Sequence, residues 1–582
     1  MADRQGALAI DCLPGPGREA VSGAVPASVV AATRRTGRSA QRTVRRLIVY
    51  ALLFVLVVIA ATGLGGLLGR LAVTGSELIA DDVSGLALSL AFTLIGAPLA
   101  LLLWWAVWRR LGEGAERSSV AWALYVAGIY VLSLLIAASS ILGAMASLVG
   151  GEQVQWRLSL AAGVAWAAVW AWHVWIVRHG LKSPTRLAGV PAVLGSVLGL
   201  VIGVGGAVSA LALLFDAALL GAGASVGRPW WLSGLQTLIW ATGGSLLWWW
   251  HWKYAGVRRL RGGLADVALI TAGVLGAGIL ALGGAGVALF VVLRLLFDPA
   301  DAIEILLEPL GPAVAAAAVG SIVWVYHRGI ARERPGSAGH GGRLVTSGVA
   351  LVAAASGVGV IVNATLAITT APLAGSGVRS LLLGGISSLA VGGPVWWLAW
   401  RPRDQTRAGE PWLNARRVYL LAVFGLSAVA AVITLLVIGF RLFEFALDDV
   451  FGGSLIDRIR APLGLLAATG LAAGYHFAAW RRDREILAAA GQPRQRNIGH
   501  VILVTGSDSG PLQRAIGEAT GAGVTVWARA DAGDTAGNGA EAAGPGGMLE
   551  TRLIAALAGV SGNRVLVIVA PGGSIETIPL LG

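Results

Sequence analysis

Trp396-Trp397-Leu398-Ala399-Trp400-Arg401 closes a long apolar run on tryptophan and turns at once to arginine. An indole joins an apolar ring system to one N–H donor and settles at the headgroup level, while arginine in short loops marks the cytoplasmic side of a bilayer. The hexapeptide therefore reads as a membrane-spanning helix leaving the bilayer on its basic side. Outward from it, the same ending recurs loosely at Trp104-Trp105…Trp108-Arg109-Arg110, Trp172-His173…Trp175…Arg178 and Trp249-Trp250-His251-Trp252-Lys253. It appears again at Trp324…Tyr326-His327-Arg328 and Tyr475-His476…Trp480-Arg481-Arg482.

Composition points the same way. Of 582 residues, 56% are hydrophobic and 13% charged, with a mean hydropathy of +0.75; soluble domains carry roughly 25% charged residues. A net charge of +13 would suit nucleic acid, but nearly all of it lies in short loops between apolar runs, so no nucleic-acid partner is expected. Cys12 is the single cysteine, which excludes an intrachain disulfide and a thiolate metal cluster.

Twelve apolar segments follow one another at about 47–69, 84–108, 120–149, 158–177, 189–215, 230–252, 267–293, 310–327, 344–371, 380–400, 418–440 and 461–480. Each approaches the ~20 residues that cross ~30 Å of hydrocarbon. The N-terminal stretch, the loops after even-numbered segments and the stretch after the twelfth hold 32 basic residues, against eight in the opposite loops. That asymmetry predicts a multi-pass protein of the cell (plasma) membrane with N- and C-termini cytoplasmic. The lipid bilayer is thereby its first partner.

The segments pair into six parallel two-helix repeats, about 45–111, 119–181, 186–261, 262–334, 341–403 and 415–485. The expected organisation is a disordered basic tail over 1–46, a transmembrane repeat domain over 47–485, a linker over 486–496 and a cytoplasmic α/β module over 497–582. In the module, Val501–Val504, Val524–Trp527 and Val565–Val569 read as strands, with helices from Pro511 to Thr520 and Met548 to Ala558. The predicted fold class is thus an all-α polytopic membrane protein of about 12 transmembrane helices with a small C-terminal α/β module.

Each candidate site has a plain alternative. The tryptophans read as an interfacial belt; an aromatic cage would need the six endings to converge on one axis. His173, His251, His327 and His476 occupy similar places near the endings and could gather a metal, but interfacial bonding to water or lipid is the simpler reading. Gln236 and Asn363 are polar at mid-depth and are expected to bridge helices. Gly195, Gly199 and Gly203 share one helical face, and Gly276, Gly283, Gly284 and Gly286 crowd the seventh segment; both sets predict close packing. External loops repeat an arginine before acids, as in Arg294…Asp298…Asp301, Arg441…Glu444…Asp448-Asp449 and Arg70…Glu77…Asp81-Asp82, where hard-cation binding competes with ordinary helix-end pairing. Thr505-Gly506-Ser507-Asp508-Ser509-Gly510 follows a strand and opens a helix, so its amides could meet a nucleotide phosphate, yet it matches no phosphate-loop motif. No charged residue stands near the centre of any segment. No catalytic, cofactor-binding or metal residue is assigned, and no cofactor is expected.

The Arg-Arg-Leu…Tyr opening at residues 45–50, its two apolar spans and the Trp-Trp…Trp-Arg ending resemble a family of bacterial multi-pass membrane proteins built from a repeated two-helix domain of unknown function. The resemblance covers about residues 45–485 and is clearest in the first, fifth and sixth units. It implies an integral membrane protein and carries no activity, substrate or catalytic residues. Three function classes remain: a non-enzymatic scaffold or sensor meeting a protein partner or a second copy, a transporter or channel for a small solute, and a lipid- or nucleotide-acting enzyme. The missing intramembrane charge favours the first. A structure without a water-accessible central cavity would count against the second.

Overall fold

The computed structural model describes residues 27–74, 83–221, 228–334, 337–370, 376–400, 410–447, 454–489, 498–506, 509–529, 547–560, 562–570 and 573–580. Glu77, Asp81, Asp82, Asp448, Asp449, Ser507, Asp508, Cys12 and the first 26 residues of the expected tail lie outside these. The chain divides into two compact units, residues 1–419 with 425–472, and residues 420–424 with 473–582.

Twelve long helical passes follow in order: α1 (Ala27–Ala72), α2 (Val83–Arg110), α3 (Val120–Val149), α4 (Gln153–Arg178), α5 (Val190–Leu219), α6 (Trp230–Trp249 with a π-helical turn, Trp250–Tyr254), α7 (Gly263–Phe297), α8 (Ile303–Arg332), α9 (Ser337–Thr370), α10 (Ser376–Trp400), α11 (Glu410–Leu447) and α12 (Leu455–Ala489). Ten of them, all but α6 and α12, are long and apolar enough to cross a membrane. α6 falls below that hydropathy because it is built from tryptophan, serine and threonine. α12 falls just short because its charge-free middle is diluted by Gly464, Thr469, Gly470, Gly474, Tyr475 and His476. α1 begins at Ala27, so residues 27–46 are helical where a disordered tail was expected. From Ala27 to Arg46 there is no proline and a single glycine, Gly37, and arginine is a good helix former, so the helix runs on out of the span.

Within a bilayer, lipid tails are as apolar as leucine, so helices associate through close packing and hydrogen bonds rather than by expelling water. Glycines supply the close packing here. Gly203 of α5 faces α6 so closely that a Cβ on it would stand 2.8 Å from Ser245 N. Gly199 meets Trp248 and Gly206 meets Ala241, so α6 runs back antiparallel along the length of α5. Four other hairpins repeat the device: Gly63 against Phe92, Gly163 against Ile141, Gly320 against Ala281 and Gly357 against Leu389.

Longer-range pairing also recurs. α1 packs on α4, and α5 packs on α8. α9 meets α12 where Gly359 and Gly464 touch. Between these four-helix groups, α3 contacts α6 and α7 contacts α10. At the first junction Leu142 of α3 enters the space above Gly243; at the second Phe290 of α7 lies 3.7 Å from a Cβ on Gly384. The mid-depth polar residues are bridges: Gln236 donates to Ala146 O at 2.9 Å, and Asn363 Oδ1 accepts from Arg460 at 3.1 Å.

In the second unit a four-stranded sheet has the order β2-β1-β3-β4, with β1 (Ile498–Thr505), β2 (Gly523–Ala528), β3 (Gly562–Val569) and β4 (Ile575–Leu580). The first three strands are parallel; β4 pairs antiparallel with β3, Val565 opposite Pro579. β4 adds a fourth strand to the three expected; it lies at the sheet's edge, where Pro579 is tolerated. α13 (Ser509–Thr520) and α14 (Gly547–Leu557) cover one face, where Leu512, Ile516, Leu553 and Leu557 close over Val501, Leu503, Val565 and Val567.

If backbone approach holds the hairpins, Gly203→Leu overpacks the α5–α6 contact and costs roughly 1–3 kcal/mol. Gly205, where a Cβ meets nothing within 4 Å, tolerates alanine with a change within about 0.5 kcal/mol. Reversible unfolding in mixed micelles reads both; equal effects would reject the glycine contact.

Candidate functional site

Among the described residues of the first unit, the aromatic residues of the basic-side endings fall into separate groups. Tyr50, Trp104, Trp108, Trp122, Tyr125, Trp172 and Trp175 form one aromatic cluster, with neighbouring centroids 4.9–6.2 Å apart. Trp248, Trp252, Tyr326 and His327 form a second, in which Trp252 Nε1 donates to Tyr326 at 2.9 Å. Trp400 and Tyr419 make a third pair at 5.4 Å. Trp105, Trp172, Trp175, Trp249 and Trp397 are exposed as a belt requires, whereas Trp122, Trp166 and Trp252 are buried. Part of the aromatic signal is therefore tertiary packing.

The histidines correct the interfacial reading. His173, His251, His327 and His476 are all buried. In the first three, Nδ1 lies 2.8 Å from the carbonyl four residues back: Val169, Leu247 and Val323. A carbonyl only accepts, so Nδ1 carries the proton and Nε2 accepts. Nε2 of His173 takes Tyr125 OH at 3.3 Å, and Nε2 of His251 takes Tyr130 OH at 3.0 Å. Room for two of these rings comes from the helix opposite: Gly195 faces His251, and Gly273 faces His327. A sequence places these histidines near arginine; it does not show the glycine on the facing helix. Among the described residues no group of three or more His, Cys, Asp or Glu could hold a metal. The external arginines pair with acids, Arg294 with Asp301 at 2.5 Å and Arg441 with Glu444 at 2.7 Å. Asp298 is buried and accepts from Ser380 at 2.9 Å.

The site that sequence reasoning missed lies between α7, α9 and α10, with the start of α11 at one end. A cleft of about 1560 Å³ opens there, lined along α7 by Leu275, Ile279, Gly283, Gly286 and Phe290. This exceeds the roughly 300–1,000 Å³ of drug-sized ligand sites. From Leu275 to Phe290 the wall runs roughly 22 Å, at about 1.5 Å per residue. Three serine and tyrosine hydroxyls reach the lining, and each is engaged. Ser387 donates to Gly286 O at 2.5 Å, Ser388 to Ala353 O at 2.7 Å, and Tyr419 meets Ser347 at 3.2 Å.

The cleft has a local cause. α7 contains a π-helical run, Leu269–Gly276, and such turns re-aim the face that follows. Beyond it Gly284 stays against α8, where a Cβ would lie 2.5 Å from Ala317 N, while Gly283 and Gly286 face open space. The first junction is filled instead. α3 is 61% buried over its most apolar stretch, whereas α7, which walls the cleft, is 11% buried over its own.

The family model of a domain of unknown function (DUF5671) matches the chain twice, over residues 46–172 and 342–471. No curated protein and no solved structure matches. Each match spans four helices, α1–α4 and α9–α12. The cleft draws α9, α10 and the start of α11 from the second match and α7 from the stretch between the two.

Tyr130→Phe removes one interhelical hydrogen bond and costs about 0.6 kcal/mol, with about 1.7 as the ceiling for such bonds. His251→Ala also empties the ring's space beside Gly195, so it costs roughly 2–4 kcal/mol. Unfolding of both variants in micelles checks the order; a Tyr130 effect as large as that of His251 would contradict it.

Proposed function

We propose that this membrane protein is a non-enzymatic scaffold or sensor whose helical body holds a lipid chain in the α7–α9–α10 cleft. The observation that carries this reading is the contrast between a packed first junction and an open, apolar second one. The cleft faces no charged lining residue, and its hydroxyls are taken by backbone carbonyls or by one another. A polar solute would lose its hydration there without replacement bonds, at several kcal/mol per group. An alkyl chain loses nothing and fills the space.

The remaining assignments belong to the same proposal. The 32-to-8 asymmetry of basic residues supports a plasma-membrane protein with both termini in the cytoplasm. Among the described residues, helices cover one face of the sheet in the second unit. Trp527, 58% exposed, stands with His500, Ile502 and Thr525 on the other, which supports a protein partner for that module.

Gly283→Phe and Gly286→Phe place rings in space where a Cβ meets nothing within 4 Å, so they fill the cleft without displacing a neighbour. Extraction and lipid analysis of protein purified in mild detergent should show one or two tightly held lipids per wild-type chain. The Phe variants should lose at least half of that while keeping wild-type thermal stability. Unchanged lipid content in folded Phe variants would overturn the proposal.

A further inference from the structure

We infer that a small pocket between the basic ends of α1 and α2 binds a phosphate group, carried there by an anionic phospholipid, with the Arg45 and Arg110 guanidiniums as its donors.

The pocket has a volume of about 170 Å³ and joins an apolar floor to a charged rim. α1 supplies Arg45 with Val49, and Arg46 with Tyr50, each pair four residues apart on one side of the helix. α2 supplies Leu103, Val107 and Arg110 at spacings of four and three, so an apolar row ends on a guanidinium. Glu116, in the short turn Gly114–Arg117 after α2, completes the rim. Its charge is already matched within the protein. Arg46 Nε donates to Glu116 Oε2 at 2.8 Å, Arg46 Nη2 lies 2.7 Å from the same oxygen, and Tyr50 OH donates to Oε1 at 3.2 Å. Among the described residues, no hydrogen bond or ion pair engages the Arg45 or Arg110 side chain. Three arginines against one carboxylate leave the lining at a net charge of +2, carried by the two arginines that Glu116 does not hold.

Charge, size and place select the occupant. A guanidinium presents its N–H groups in a fork that matches two phosphate oxygens. The volume lies below the roughly 300–1,000 Å³ of drug-sized ligand sites, which leaves room for a phosphate group and not for a whole ligand of that size. Arg45 and Arg110 stand at the ends of the spans Thr43–Ala72 and Val83–Arg110, and Ile48, Leu52, Leu99 and Leu102 nearby in those spans are exposed, as residues facing lipid tails are. A lipid phosphate already stands at this headgroup level, whereas a free phosphate must be drawn from water through screening salt. A choline headgroup brings a second cation beside the arginines and gains less. The pocket shares no lining residue with the α7–α9–α10 cleft, so this inference stands apart from the lipid-chain reading.

The test is native mass spectrometry of the full chain in detergent, titrated with phosphatidylglycerol, with phosphatidylcholine of the same acyl chains, and with inorganic phosphate. Wild type should bind phosphatidylglycerol more tightly than phosphatidylcholine. Arg110→Gln should weaken phosphatidylglycerol roughly 10-fold or more, the lower end for a hydrogen bond to a charged group. Ala106→Phe keeps every charge and fills the pocket, so it should weaken phosphatidylglycerol as well. Arg109, whose guanidinium lies 3.7 Å from the Trp105 ring centroid and does not line the pocket, is the control. Arg109→Gln should cost no more than the about 5-fold that any basic residue near a leaflet contributes. Equal losses from Arg109→Gln and Arg110→Gln, or full affinity in folded Ala106→Phe, would overturn the pocket. Equal binding of the two lipids by wild type would overturn the selection of anionic lipid. Inorganic phosphate binding that Arg110→Gln abolishes, with phosphatidylglycerol indifferent to the same change, would support the phosphate site and overturn its lipid source.

Discussion

Where Gly203 of α5 lies against Gly244 and Ser245 of α6, two helix backbones approach as closely as atoms allow. In a solvent of hydrocarbon this approach is what a helix pair gains over contact with lipid, because dispersion falls steeply with distance and apolar side chains gain little by exchanging lipid for one another. The first five hairpins each bring a glycine to their crossing, and α9 joins α12 at a pair of them. Interhelical hydrogen bonds such as Tyr130 to His251 and Gln236 to Ala146 add register to contacts that glycine makes possible.

The same constraint explains the cleft. A glycine that meets a neighbouring backbone is a contact; one that meets nothing is a hole. α7 has both within three residues, Gly284 against α8 and Gly283 and Gly286 toward α9 and α10. At the corresponding place α3 presents Tyr130, Ser133, Leu134 and Ala137, all buried. The body is therefore closed at one junction and open at the other, and the open one takes α9 and α10 from the second stretch that the family model matches. A wall free of charge, with every lining hydroxyl already bonded, suits hydrocarbon.

Much of this was legible in the sequence. Trp-to-Arg endings locate the helix ends, the spacing of Gly195, Gly199 and Gly203 predicts the packed face of α5, and the unbroken apolar runs Val501–Val504 and Val565–Val569 locate two core strands. What the sequence hides is rotation and partner. Gly283, Gly284 and Gly286 look alike in the linear chain, and the π-helical run before them resets the phase by which a face would be assigned. The histidines look interfacial because arginine is near in sequence, while the glycines that admit His251 and His327 to the interior belong to other helices. Arg460, near the start of α12, reads as a loop charge until Asn363 of α9 is found to accept from it.

A density map of the full chain in lipid nanodiscs tests the central claim most directly. Elongated density beside Gly283 and Gly286, between α7, α9 and α10 and ending near Tyr419, is the predicted result. Direct contact of α7 with α9 along Ile279 to Phe290, with the gap closed, would contradict it.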